Sequence, residues 1–254
     1  MRRGRESVLL IAFGAVAGVD LGSLAVGFDM GHLVAKPLLM PLLAVYAYTR
    51  GAPRPLIVAL LFGWGGDVLL LSDAEPAFLG GMASFAAGHV CYLVLFAGLA
   101  GLAGLGGLGG LGGLGGDGRD RRDRRDTGSG RPAYAAAFGV AYGLALVVAV
   151  ASLWPGLPAE LRLPVAGYSA LLTTMAWAAT RLGLVAGLGG ALFVVSDMLI
   201  ATGVAEWPQA PRPDLWIMLT YLAAQYLLTR GVLDTPGARP EGTPAAGEVP
   251  RPTV

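Results

Sequence analysis

Apolar residues run through this chain in blocks of about twenty, parted by short stretches rich in Gly, Pro, Arg and acidic residues. At 1.5 Å of helical rise per residue, a block of that length crosses the roughly 30 Å hydrocarbon core of a bilayer. Eight blocks can be drawn, at about 8–27, 31–48, 55–73, 77–100, 132–154, 161–180, 183–204 and 214–233. The breaks carry turn and helix-stop residues: Gly51 to Pro55, Asp73 to Pro76, Trp154 to Pro158, and Trp207 to Pro213. Tyr46, Tyr48, Tyr134, Trp154, Trp207 and Trp216 fall near block ends, where an interfacial aromatic belt belongs. The pattern predicts an all-α, polytopic membrane protein with eight transmembrane helices in one bundle.

Composition agrees with the pattern. Of 254 residues, 55% are hydrophobic and 14% charged, against about 25% charged in soluble domains. The mean hydropathy is +0.63, and no polar stretch is long enough to build a large soluble domain. The single Cys91 forbids an internal disulfide and reads as a small packing residue. Although MRRGRES before an apolar run resembles a signal peptide, that run continues past Asp20 to about Gly27, so it is taken as a retained first helix.

Charge distribution sets an orientation. With the amino terminus in the cytoplasm, fifteen of the eighteen Lys and Arg residues lie on the cytoplasmic side. Arg162 and Arg212 lie opposite, and Lys36 lies within a block. Both termini are therefore expected in the cytoplasm of a multi-pass protein of the cell (inner) membrane. Residues 1–100 form a first four-helix half and 132–233 a second. Between them, 101–131 combines a Gly/Leu tract with DGRDRRDRRD, which reads as a flexible cytoplasmic linker, and 234–254 reads as a disordered tail. Nothing in the chain has the strand–turn–helix context of a nucleotide loop, and no nucleic-acid partner is expected.

Two blocks hold a carboxylate where one is costly. FGWGGDVLLLS (Phe62–Ser72) carries Asp67 and LFVVSDMLIAT (Leu192–Thr202) carries Asp197; an ionisable group there costs about 2.5–3.5 kcal/mol on insertion scales. Measured from the outer end of its own block, Asp67 lies roughly 9 Å deep, Asp197, Asp20 and Tyr221 roughly 10 Å, and Lys36 roughly 8 Å. His89 is deeper, with Tyr92 one turn beyond it. The expectation is that Asp67 and Asp197 share one intramembrane site enclosed by the other helices. Each residue also has a plainer reading: Asp67 paired to Lys36 in a helix-packing motif, His89 a satisfied core histidine, Asp20 and Gln225 hydrogen-bonded packing groups, His32 an interfacial residue. Lys36 precedes Pro37, whose missing N–H frees a carbonyl; it would neutralise an Asp or meet a phosphate headgroup. From these residues alone, two functions stay open: an intramembrane hydrolase using carboxylates as acid and base, and a small proton-coupled transporter built of two related halves. A lipid-binding membrane protein is a third.

Four stretches, AKPLLMPLLAVY (Ala35–Tyr46), LFGWGGDVLLL (Leu61–Leu71), FLGGMASFAAGHVCYLVLF (Phe78–Phe96) and FVVSDMLIA (Phe193–Ala201), resemble the YhhN family in order and spacing. The resemblance covers about residues 8–233 and omits the linker, which is longer than the family's short connection, and the tail. That family includes lysoplasmalogenases, eight-span enzymes that hydrolyse the vinyl ether of lysoplasmalogens. The resemblance implies a lysophospholipid substrate, no cofactor or metal, Asp67 and Asp197 as the catalytic core, and Lys36, His89, Tyr92 and Ser196 as supporting residues. Tyr221 and Asp20 join the supporting set by depth. The implied chemistry protonates the vinyl ether's β-carbon and adds water to the resulting oxocarbenium ion, which suits a pair of buried carboxyl groups.

Overall fold

A computed structural model describes residues 2–72, 74–109 and 130–238, with side chains over 4–72, 74–101 and 137–238. Among the described residues are eight α-helices and no strand: α1 Arg2–Val26, α2 Asp29–Thr49, α3 Arg54–Leu69, α4 Glu75–Gly109, α5 Gly130–Leu153, α6 Ala159–Ala179, α7 Leu184–Val204 and α8 Pro213–Asp234. A 3₁₀ turn, Thr180–Leu182, joins α6 to α7.

Four of the eight are long and apolar enough to cross a membrane, within Gly4–Val26, Asp29–Thr49, Glu75–Gly101 and Leu184–Val204. Large apolar side chains such as Val8, Ile11, Val34, Val94, Val147 and Leu188 face outward. Such a surface belongs in lipid, and the protein is a membrane protein. The others fall short for separate reasons. Helix α3 has 16 residues, about 24 Å of rise. Helices α6 and α8 carry charged and hydroxyl side chains. For α5 the described apolar part is Ala137–Leu153.

Two ends differ from the hydropathy reading. The third block was drawn to residue 73, yet α3 stops at Leu69 and is followed by tightened turns, Leu71 N–H to the Val68 carbonyl and Ser72 N–H to the Leu69 carbonyl. Leucines 69–71 extend the apolar pattern without extending the helix. Conversely, α4 runs into the tract expected as linker, to Gly109, since adding a residue to an existing helix avoids the cost of nucleation. The rest of the expected linker, 110–129, and most of the expected tail, 239–254, lie outside the described residues.

Neighbouring helices pack in sequence order (α1 on α2, α2 on α3, α3 on α4, α6 on α7, α7 on α8), and the two halves meet where α4 lies on α6 and α1 and α2 lie on α8. One core cluster joins them, including Leu39, Leu43, Leu60, Tyr92, Phe96, Met175, Phe193 and Leu228. Lipid removes the hydrophobic drive between helices, so close backbone approach and hydrogen bonds replace it. The α7–α8 seam depends on glycine. A Cβ at Gly231 would lie 2.7 Å from Ala186 N, and one at Gly189 would lie 2.8 Å from Leu228 N. Between α2 and α3, Pro41 lacks the N–H that would reach the Pro37 carbonyl, and the Trp64 indole of α3 donates to that carbonyl instead, at 2.9 Å.

Gly231→Ala is expected to destabilise the protein by about 1–3 kcal/mol through overpacking against Ala186. Thermal unfolding in detergent measures it; an unchanged midpoint would mean that α7 and α8 do not meet this closely.

Candidate active site

Asp67, on α3, is buried beneath α8. The Tyr221 hydroxyl donates to its Oδ2 at 2.9 Å. Gln225, one turn further along α8, donates from Nε2 to the Tyr221 oxygen at 3.3 Å, and the Tyr92 hydroxyl of α4 donates to Gln225 Oε1 at 2.7 Å. Every bond in this string points toward Asp67. Gly63 lets the string lie against α3: a Cβ there would sit 3.0 Å from both Gln225 Nε2 and the Tyr221 hydroxyl.

Asp197, on α7, belongs to a second string. The Tyr168 hydroxyl of α6 donates to its Oδ2, and His89 Nε2 of α4 lies 3.1 Å from the same hydroxyl. With that hydroxyl proton directed to Asp197, His89 must hold its own proton on Nε2 and donate to the Tyr168 oxygen. Its Nδ1 is then left a buried acceptor without a partner among the described residues.

The two carboxylates were expected to share one site. They belong to two strings with no hydrogen bond between them, and aromatic contacts link the strings. Phe193 packs edge-on against His89, centroids 4.8 Å apart, and against Tyr221, 5.5 Å apart. Phe85 packs on Tyr221 at 5.8 Å and on Phe193 at 6.4 Å. The ring of Phe85 fits because residue 66 is glycine, where a Cβ would come within 2.5 Å of it.

The polar residues of α1 and α2 gather on the Asp67 side. Asp20 is fully buried, its Oδ1 2.8 Å from His32 Nδ1 and its Oδ2 without a hydrogen bond. His32, read as interfacial, is thus a partner of the buried Asp20. Lys36 is 9% exposed and makes no hydrogen bond or ion pair among the described residues. With Asp20 and Asp197, it is one of the charged groups within electrostatic reach of Asp67. Ser196 faces α8, where its hydroxyl donates to the Ile217 carbonyl at 3.1 Å; it clamps two helices together. Among the described residues no three of His, Cys, Asp and Glu converge as metal ligands would.

A cavity of about 620 Å³ opens on the Asp197 side between α4, α5, α6 and α7. Phe78, Met82, Phe85, Leu146, Val165, Leu172, Val195 and Val204 make most of its wall apolar, and Asp197 and Tyr168 both line it. It runs from Trp207, beyond the end of α7, to Tyr142, deep on α5. A cavity of this size with a few convergent polar groups is the usual form of a small-molecule site. Neither Asp67 nor Lys36 lines it.

A family model described as the YhhN family matches residues 31–232. The chain belongs to the YhhN family. Among curated proteins this YhhN chain is similar to the pig (Sus scrofa) lysoplasmalogenase TMEM86B, 30% identical over 214 residues, 79% of this chain and 76% of the pig protein. The rat (Rattus norvegicus) lysoplasmalogenase TMEM86B is 43% identical over 77 residues, 30% of this chain and 33% of that protein. For the human (Homo sapiens) lysoplasmalogenase TMEM86B the figures are 40% over 77 residues, 30% and 34%. The rat and human alignments thus span about a third of those proteins' own length. No solved structure matches.

Tyr168 escaped the sequence reading, although the depth measurement applied to its block places it roughly 10 Å from the outer end, level with Asp197. Gln225, read as packing, is the centre of the Asp67 string. No local pattern marked Phe85 and Phe193, because a phenylalanine in an apolar block carries no signal of its own.

Tyr221→Phe would strip Asp67 Oδ2 of its donor and Gln225 Nε2 of its acceptor. The loss expected is about 1–3 kcal/mol of stability. A double-mutant cycle with Gln225→Leu checks it: a coupling of at least about 0.5 kcal/mol supports the string, and strict additivity contradicts it.

Proposed function

We propose that this YhhN protein is an eight-pass membrane hydrolase, both termini cytoplasmic, that cleaves the vinyl-ether bond of lysoplasmalogen-type lysophospholipids. The observation that carries this reading is Asp197, bonded to Tyr168, on the wall of an apolar cavity that is otherwise suited to a hydrocarbon chain. The family and the names of its lysoplasmalogenase relatives support it.

In the proposed reaction, the alkenyl chain lies in the cavity with its vinyl ether beside Asp197. Asp197, holding a proton, delivers it to the β-carbon of the alkene. The π electrons form that C–H bond, and the ether oxygen shares the positive charge left on the α-carbon. The faces of Phe85, on the cavity wall, and the carboxylate of Asp67 behind it favour that cation. Water adds to the α-carbon and loses a proton to the Asp197 carboxylate, which restores the acid. The hemiacetal then breaks its C–O bond to the glycerol, giving a fatty aldehyde and a glycerophospho-headgroup alcohol. One water is consumed, and no redox partner takes part. Tyr168 and His89 hold Asp197 in place through its Oδ2.

Purified protein in detergent is expected to release aldehyde from 1-alkenyl lysophosphatidylethanolamine. Asp197→Asn should lower kcat by about 100- to 10,000-fold, the usual range for a lost general acid. Asp67→Asn should cost less, about tenfold to a hundredfold, because it acts from behind the wall. Thermal midpoints should stay near the wild-type value. No aldehyde from the wild type, together with a proton-coupled flux abolished by Asp67→Asn, would point to a carrier instead.

A further inference from the structure

Arg162 lies near the start of α6, the helix that presents Val165, Tyr168, Ser169 and Leu172 to the cavity wall, and is itself outside the lining. Spacings of three and four residues put Arg162 on that same face, one turn before Val165. Its guanidinium is held in place: Cζ lies 5.8 Å from the Trp154 ring centroid, and Nε donates to the Leu157 carbonyl at 3.2 Å. It makes no ion pair among the described residues, Glu160 and Glu206 included, and both Nη nitrogens remain to receive an anion. The rim around it is tight. A Cβ at Gly156 would come within 2.6 Å of the Ala205 carbonyl, joining the Trp154–Pro158 turn to the turn that carries Trp207.

From Arg162 to Tyr168 is six residues, about 9 Å along α6. In a lysoplasmalogen, about seven bonds separate the phosphorus from the carbon to be protonated, roughly 8 Å when extended. We infer that Arg162 binds the phosphate of the lysophospholipid at the cavity rim and so fixes the depth at which the vinyl ether meets Asp197. The inference rests on the cavity being the lipid site. It assigns the phosphate to Arg162 rather than to Lys36, for which the sequence left two roles open, neutralising an Asp or meeting a headgroup; Lys36 lies on α2 and does not line the cavity. A guanidinium preset by a stacking ring loses little freedom when it accepts a phosphate.

Binding of 1-alkyl lysophosphatidylethanolamine tests this, because its saturated ether cannot be cleaved by alkene protonation. A protein that hydrolyses nothing therefore still gives an answer. The matched ligands are 1-alkylglycerol, which lacks the phosphate, and inorganic phosphate alone, each titrated by thermal stabilisation of the full chain in detergent. Arg162→Gln is expected to weaken the phospholipid by about tenfold to a hundredfold and to leave 1-alkylglycerol unchanged, with part of the loss restored in Arg162→Lys. Arg212→Gln, which alters the arginine just before α8, should change neither. Equal weakening of both lipids by Arg162→Gln, or no weakening, would overturn the inference. Stabilisation by inorganic phosphate alone would make this a free-phosphate site and overturn the headgroup assignment.

Discussion

A polar group inside apolar helices carries a heavy cost unless neighbouring helices supply hydrogen bonds, because little water is there to replace a missing partner. That requirement governs how this protein is assembled. Asp67 of α3 is bonded by Tyr221 of α8; Tyr92 of α4 reaches Gln225 of α8; His89 of α4 and Asp197 of α7 meet at the Tyr168 hydroxyl of α6. Three of these four bonds cross from the first four helices to the last four, and the fourth, Tyr168 to Asp197, ties α6 to α7. Seating the halves and building the site are therefore one event, and the wall of Phe85, Phe193 and Tyr221 forms where they close.

The wall also divides the labour. On one side Asp20, His32, Lys36 and Asp67 form a charged cluster, none of them lining the cavity; on the other, Asp197 and Tyr168 face about 620 Å³ of largely apolar space. The proposed chemistry on a lipid chain is assigned to the second side, where Leu146, Val165 and Leu172 line the cavity together with Asp197. Two of the four helices that fall short as simple hydropathy spans, α6 and α8, carry Tyr168, Tyr221 and Gln225. Their polarity is the cost of supplying partners to the two carboxylates.

Much of this was legible because charge is rare in apolar blocks. Asp67, Asp197, Asp20 and Lys36 stood out for that reason, and depth correctly suggested that Tyr221 belonged near Asp67. Other features left no such mark. A tyrosine such as Tyr168 is only mildly polar and shifts a hydropathy window little, and its role appears only when α6 is set against α4 and α7. That Asp67 and Asp197 take different tyrosine partners follows from how the helices are set around one another, which depth along single helices cannot reveal. The end of α3 at Leu69 was hidden by leucines that continue the pattern. A cavity is a space where side chains stop short, and one-dimensional periodicity has no sign for it.

The central claim is that Asp197 protonates the β-carbon of a vinyl ether. Turnover of 1-alkenyl lysophosphatidylethanolamine in D₂O, with the aldehyde trapped and weighed by mass spectrometry, tests it most directly. The expected product carries one deuterium on the carbon next to the aldehyde, and its formation is slower than in H₂O. Aldehyde without that deuterium, or cleavage that leaves the alkene in the product, would contradict the account.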